Sequence, residues 1–120
     1  MIIRRLDILE VDLQGAVGSE QTNKRPCVVV SNELCNKHSP TIIIMPLTTK
    51  DSKRNIPTHT LVKKTDAIGL RDDSTFLGEQ PRTIDRKRIV RKVGRIINLD
   101  TANEVDRACY DAFFYQQNKN

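Results

Sequence analysis

The residues with most to offer chemically form one stretch, Gly18-Ser19-Glu20-Gln21-Thr22-Asn23-Lys24-Arg25-Pro26. It lies between two apolar runs and holds a loop glycine, hydrogen-bonding side chains, a carboxylate and adjacent cations. Arg25 stands where an apolar strand begins. A cation placed by rigid backbone but facing an adaptable loop suits the gripping of an anion. The same residue types also build ordinary solvated connections between strands, so the stretch alone supports both readings. A second polar loop adds Lys50, Lys53 and Arg54. Between Arg82 and Arg95 there are seven cations against one acid, Asp85. That run is either a solvated face or a track for phosphates.

Composition narrows the partners. A length of 120 residues suits one domain with a small core, assigned to residues 1–120 as a whole. The hydrophobic fraction of 38% and charged fraction of 29% are those of a globular chain. A formal charge of +5 suits a polyanionic partner. Residues 1–60 carry eight basic and six acidic side chains and residues 61–120 twelve and nine, so neither half is a basic tail. Aromatics are only 4%, with no Trp, which excludes a single-strand binder that stacks an aromatic ring on every base. Three cysteines without a CxxC pair and two histidines give little from which to build a zinc site. The cysteines read as reduced, with Cys27 and Cys109 in or near the core and Cys35 in a loop. The longest apolar run, Thr41 to Leu47, is too short to cross a bilayer. The N-terminal residues lead directly into charge, so no secretory signal is expected and the chain reads as cytoplasmic.

The elements that must position these residues are mostly strands. Leu9, Val11 and Leu13 alternate with Glu10 and Asp12, as in a half-buried strand. Pro26 opens Cys27-Val28-Val29-Val30, which reads as a central strand. The polar residues from Asn32 to Pro40 read as a connection closed by a Ser39-Pro40 turn. Thr41 to Leu47 is a further strand, which Pro46 should end, bulge or place at an edge. Shorter strands follow at Thr58 to Lys63, Thr75 to Leu77 and Lys92 to Ile97, with a short helical turn between Asp85 and Val90. Ala102, Val105, Ala108, Cys109, Ala112 and Phe113 recur at helical spacing and predict a C-terminal helix packed on the core. Asp100 or Thr101 can cap it, the latter with Glu104 in a capping box. Residues 116–120 should fray. A chain of about five or six short strands and one helix tends to form a small barrel-like sheet with the helix laid on it.

Val17-Gly18-Ser19-Glu20-Gln21, Lys24-Arg25-Pro26, Val28 to Asn32 and Asn36 to Thr41 resemble, in order, blocks of the MazF/PemK toxin family. The resemblance continues through Leu47-Thr48, Ile56 to His59, Leu77 to Thr83, Ile84-Asp85, Arg88 and Glu104-Val105-Asp106. It implies a mainly β, SH3-like small barrel with a C-terminal helix, of the MazF/PemK/CcdB kind, assembled as a homodimer. It implies cleavage of single-stranded RNA at a short sequence without metal or cofactor, and inhibition by a cognate MazE-like antitoxin whose acidic tail occupies the RNA path. No membrane partner is implied. Two departures stand out. Leu6-Asp7 replaces the usual Gly-Asp, and Gly78-Glu79-Gln80-Pro81-Arg82 replaces Leu-Glu-Gln-Ile-Arg.

RNA cleavage without metal uses the substrate's 2′-hydroxyl as nucleophile. The enzyme must then accept that proton, neutralise charge on the phosphorane and protonate the leaving 5′-oxygen. Arg25, planar and permanently charged, suits the phosphorane oxygens. Thr48 can donate to a nonbridging oxygen, and the resemblance pairs these two positions as catalytic. Glu20 is the carboxylate candidate for base. Ser19, Gln21, Lys24, Thr49, His59, Gln80 and Arg82 are the expected substrate contacts, with turn capping by Ser19 and Gln21 and a structural His59 as the alternatives. Two other classes compete with the nuclease: a CcdB-like toxin that binds DNA gyrase, and a catalytically idle RNA- or antitoxin-binding module.

Overall fold

A computed structural model describes residues 1–13, 24–50 and 56–114. The expected alternation appears as strands β1 (Asp7–Asp12), β2 (Lys24–Val29) and β3 (Thr41–Thr48). They are followed by β4 (His59–Val62), β5 (Ala67–Ile68), β6 (Ser74–Leu77), β7 (Arg82–Asp85) and β8 (Ile89–Ile96). Two helices, α1 (Glu33–His38) and α2 (Leu99–Phe114), complete the order.

The strands form one eight-stranded sheet in the order β4-β6-β3-β2-β1-β8-β5, with β7 paired to β3 off that path. Every pairing is antiparallel. Strand β3 is the pivot. Its first half, Thr41 to Ile44, pairs with β7, and Leu47 and Thr48 pair with β6. Changing partners along one strand is how a sheet turns a corner, and here it brings the sheet close to closing as a barrel.

Because side chains alternate along a strand, the β-branched residues divide into two cores. One gathers Ile8, Val28, Met45, Leu47, Phe76 and Ile96 under Val105 and Ala108 of α2. The other, on the opposite face of β1, β2 and β3, gathers Leu9, Val11, Cys27, Val29, Ile42, Ile44 and Ile84. Each fully buried aliphatic chain is worth about 1.5–3 kcal/mol. Strands β1 to β3 are therefore held from both sides, and they are the rigid base for anything at their ends.

Several expectations are corrected. The polar connection after Asn32 contains helix α1, started by Asn32, whose side chain accepts from the Cys35 amide at 2.9 Å. Cys35 thus lies on a helix and not in a loop. At six residues α1 is too short to show apolar periodicity or to stand alone. It is fixed instead by buried Asn36, whose amide donates to Ser31 O at 2.8 Å, and by Arg86, which donates to Asn36 O. Strand β7 also escaped the sequence reading, because a four-residue edge strand carries only one buried apolar residue, Ile84. Pro46 does not end β3, which runs on to Thr48. It opposes Cys27 of β2 and, on the other edge, falls in the gap between the β7 ladder, which stops at Ile44, and the β6 ladder, which starts at Leu47. Helix α2 starts one turn earlier than expected and is capped by Asn98, whose Oδ1 accepts from the Thr101 amide at 3.0 Å. Its Phe113 is 67% exposed and not core, because the buried stripe runs through Thr101, Val105 and Ala108 and the last turn reaches past it. The helical turn expected after Asp85 is a 3-10 turn over Arg86–Arg88.

Leu6 occupies φ 76°, in the left-handed region that costs a non-glycine residue about 1–2 kcal/mol. This is the position where the resembled family has glycine. Leu6 offsets that strain by packing against the core under α2.

Candidate active site

Alternation and register decide which candidate residues meet. In the β2–β3 ladder Cys27 opposes Pro46 and Val29 opposes Ile44. Arg25 lies two residues before Cys27 and Thr48 two after Pro46, so both point to the face of the second core. Across the other edge of β3, Ile44 opposes Arg82. At the open end of that core Leu13, Ile44 and Pro46 form the floor of a hollow of about 250 Å³, walled by Arg25, Gln80, Pro81 and Arg82. No carboxylate lines it among the described residues.

The buried Cys27 thiol lies within reach of both cations. Burial pushes it up to about 12, against the opposing pull of the nearby Arg25 and Arg82 charges. Both guanidinium groups therefore act on one buried group of the second core, and a thiol so raised stays protonated and is no nucleophile.

Thr48 pairs with Thr75, and its hydroxyl oxygen accepts from the Lys50 amide at 3.2 Å. Stepping from Thr75 to Leu77 keeps the same face, and Leu77 opposes His59. His59 thus shares the outward face of Thr48 but is outside the lining of the hollow. Its Nε2 is 3.0 Å from Oε2 of Glu79, and Thr58 donates to Oε1 of Glu79 at 3.1 Å. Burial raises the Glu79 carboxyl, but the hydrogen bonds from His59, its own amide and Thr58, with the His59 charge, outweigh this and hold it below its ordinary value.

Lys24 and Thr49 go elsewhere. Lys24 is one residue from Arg25 and so faces the opposite side, opposing Asp12 in the β1–β2 ladder. Oδ1 of Asp12 is enclosed, with no hydrogen-bond partner among the described residues. Thr49 lines a separate hollow of about 350 Å³ with Glu10, Pro26, Arg71, Asp72 and Arg91. Ser19, Glu20 and Gln21 lie outside the described residues. The sequence reading missed the apolar floor of Leu13, Ile44 and Pro46; the Ile44–Arg82 register that sets it beside Arg82 is a tertiary fact with no local signature.

The cation run from Arg82 to Arg95 is largely tied to structure. Arg86 holds α1, Arg88 donates to Asp12 O at 3.3 Å, and Arg91 pairs with Glu10 at 3.2 Å. Lys92 and Arg95 both pair with fully buried Asp7, at 2.9 and 3.0 Å. Arg82 alone of this run lines the hollow. Among the described residues no three His, Cys, Asp or Glu side chains gather as a metal site would need, and no helix is long and apolar enough to cross a membrane.

Residues 4–113 match a sequence model of the family described as PemK-like, MazF-like toxin of type II toxin-antitoxin system. Among solved structures the chain is similar to an endoribonuclease from Mycobacterial species, at 21% identity and TM-score 0.74, with 93% of this chain and 91% of that chain covered. It is similar to an endoribonuclease in complex with its cognate antitoxin, also from Mycobacterial species, at 21% identity and TM-score 0.72, covering 97% and 99%. MazF from Deinococcus radiodurans matches at 19% identity and TM-score 0.73, covering 92% and 96%. The mainly β, nearly closed barrel with its C-terminal helix is thus the fold of these structures.

Proposed function

The chain belongs to the PemK-like, MazF-like toxins of type II toxin–antitoxin systems, and on that premise we propose that it is an endoribonuclease cutting single-stranded mRNA at a short sequence. The observation that carries this reading is the placing of Arg25 and Arg82 on the walls of one hollow, with Thr48 on the same face.

In the proposed reaction the substrate's 2′-oxygen bonds to phosphorus as its proton passes to a base. The phosphorus–O5′ bond breaks and the 5′-oxygen takes up a proton. Arg25 forks onto the nonbridging oxygens, where charge develops, and a positioned donor of this kind is typically worth about 10²–10³ in rate. Thr48 donates its hydroxyl proton to one of the same oxygens. Arg82 holds a neighbouring phosphate and Gln80 offers a donor and an acceptor to a base edge. Glu20 is the proposed proton acceptor, with Ser19 and Gln21 contacting substrate from the same stretch. Lys24, Thr49 and His59 are proposed as flanking contacts. The chemistry needs no metal, because the nucleophile belongs to the substrate and the charge stabilisation comes from arginine.

The working unit is proposed to be a homodimer that a MazE-like antitoxin inhibits through an acidic segment competing for the cationic hollow. Exposed Ile43, Tyr110 and Phe113, at 38%, 62% and 67%, lie around an apolar groove that meets the hollow at Pro81. A protein with such a surface has reason to be covered.

The test is incubation of a long defined RNA with the protein in EDTA, followed by mapping of the cut sites by primer extension. Cleavage should persist, give 2′,3′-cyclic phosphate and 5′-hydroxyl ends, and fail on RNA carrying 2′-deoxyribose at the scissile position. Activity lost in EDTA and restored by Mg²⁺ would refute the mechanism. An intact protein that leaves RNA uncut but inhibits gyrase would favour the CcdB-like reading.

A further inference from the structure

The turn between β6 and β7 carries Gln80, Pro81 and Arg82 into the hollow, and it is anchored unequally at its two ends. Arg82 is already in the sheet, opposite Ile44. Gln80 has no such ladder. It hangs from the residues just before it, and these are tied to the start of β4 by a dense set of bonds. The Gly78 amide donates to Thr58 O at 2.8 Å, and the Gln80 amide donates to Leu77 O at 3.1 Å. Both carboxylate oxygens of Glu79 are engaged, one by the Thr58 hydroxyl at 3.1 Å and the other by His59 at 3.0 Å. The approach is close enough that a Cβ on Gly78 would stand 2.6 Å from Thr58 O and 3.3 Å from Ala108 of α2. Only glycine fits between β4 and α2 there, and Pro81 fixes φ on the far side of Gln80.

We infer that Glu79, clamped by Thr58 and His59, is the positioning residue that fixes Gln80 in the RNA-binding hollow, without itself touching substrate. This rests on the endoribonuclease reading and deepens it. Three consequences follow from the unequal anchoring. Loss of the clamp frees Gln80 but leaves Arg82 in its ladder. Binding therefore weakens through the contact that Gln80 makes, while the electrostatic part from Arg82 survives. The effects of removing Glu79 and of removing Gln80 overlap, because the first acts through the second.

The experiment uses the full chain and a short single-stranded RNA spanning a mapped cut site, with 2′-deoxyribose at the scissile position so that it binds uncut. Fluorescence anisotropy over a salt series is recorded for wild type, Glu79→Ala, Glu79→Gln, Gln80→Ala and the Glu79→Ala/Gln80→Ala double variant. Glu79→Ala and Gln80→Ala should each weaken binding about tenfold, and the double variant no more than the weaker single. The salt slope should stay that of wild type, since no phosphate contact is lost. Glu79→Gln keeps an acceptor for Thr58 and should stay within about threefold of wild type. If Glu79→Ala melts early, Thr58→Val, which removes one tether only, serves in its place and should fall between wild type and Gln80→Ala. Single effects that multiply in the double variant, a flattened salt slope, or wild-type affinity in Glu79→Ala would each overturn the clamp while leaving the nuclease reading intact. A wild-type protein that neither cuts nor binds RNA sinks the nuclease reading, and the clamp with it, before any variant is measured.

Discussion

Two hollows open on opposite faces of β2, one at Arg25 and one at Pro26, and each is lined by a pair of arginines. In the first, Arg25 and Arg82 stand over an apolar floor with no carboxylate in the described lining. In the second, Arg91 is paired with Glu10 at 3.2 Å and Arg71 with Asp72 at 3.3 Å, both carboxylates belonging to the lining. The two are alike in their count of cations and differ in whether a described carboxylate stands in the lining beside them. Potential depends on where cations sit relative to acids, and an exposed pair already neutralised has little to give a phosphate.

The strongest way to break this comparison is at Arg25. Arg25→Ala should lower the single-turnover cleavage rate by about 10²–10³ with an unchanged melting curve, since the side chain is only half-buried at a strand end. Thr48→Ala should act in the same direction. Arg25→Lys should fail almost as badly, because a point charge cannot reproduce the fork. A near-normal rate in the lysine variant would show that the first hollow supplies bulk charge alone.

The second test sets the hollows against each other. Arg82→Ala should weaken RNA binding and reduce the slope of log affinity against log salt by about 0.7, one single-strand phosphate contact. Arg91→Ala, which removes a cation already paired with Glu10, should change affinity by less than about twofold. Equal losses at the two positions would make the distinction between the hollows empty.

The thiols give a gentler probe. With Cys27 buried and raised to about 12 and Cys35 exposed on α1, a maleimide at pH 7.5 should label Cys35 quickly. Cys27 should react only on unfolding. Native labelling of Cys27 would mean that the second core opens without global unfolding.

The smallest effect expected is at Glu79. Its carboxyl is held below the ordinary value, so the folded state favours the ionised form. Its contribution is present above the unfolded-chain value of about 4.3 and is lost as pH falls through the lower folded one. Thermal melts at pH 7 and pH 3.5 should therefore differ slightly less in Glu79→Gln than in wild type. The effect is slight because the side chain is 38% exposed. An unchanged difference would mean that the Thr58 and His59 bonds carry no net stability.

How far the sequence reached is best seen residue by residue. The alternation of Leu9, Val11 and Leu13, the runs at Val28 and Ile42, and the helical spacing of Val105 and Ala108 mark elements that the structure contains. Burial demands apolar side chains at the period of the element, and that period is written in the chain. Arg25 at a strand start could likewise be singled out, because residue type and neighbours alone suggested it. Helix α1 and strand β7 could not. Each is held by distant partners, Arg86 for one and the Thr41–Ile44 half of β3 for the other, and neither is long enough to carry a period of its own.

The division of the candidate site belongs wholly to the tertiary structure. Lys24 and Arg25 are neighbours in sequence, yet a strand turns successive side chains to opposite faces, so they part. Arg25 and Arg82 are 57 positions apart in the numbering, yet two ladders on either edge of β3 bring them to one hollow. The sequence by itself determined which residue types could grip a phosphate and on which elements they ride. Only the closing of the sheet decided which of them face the same space, because register between strands is set by packing on both faces at once and not by any segment alone.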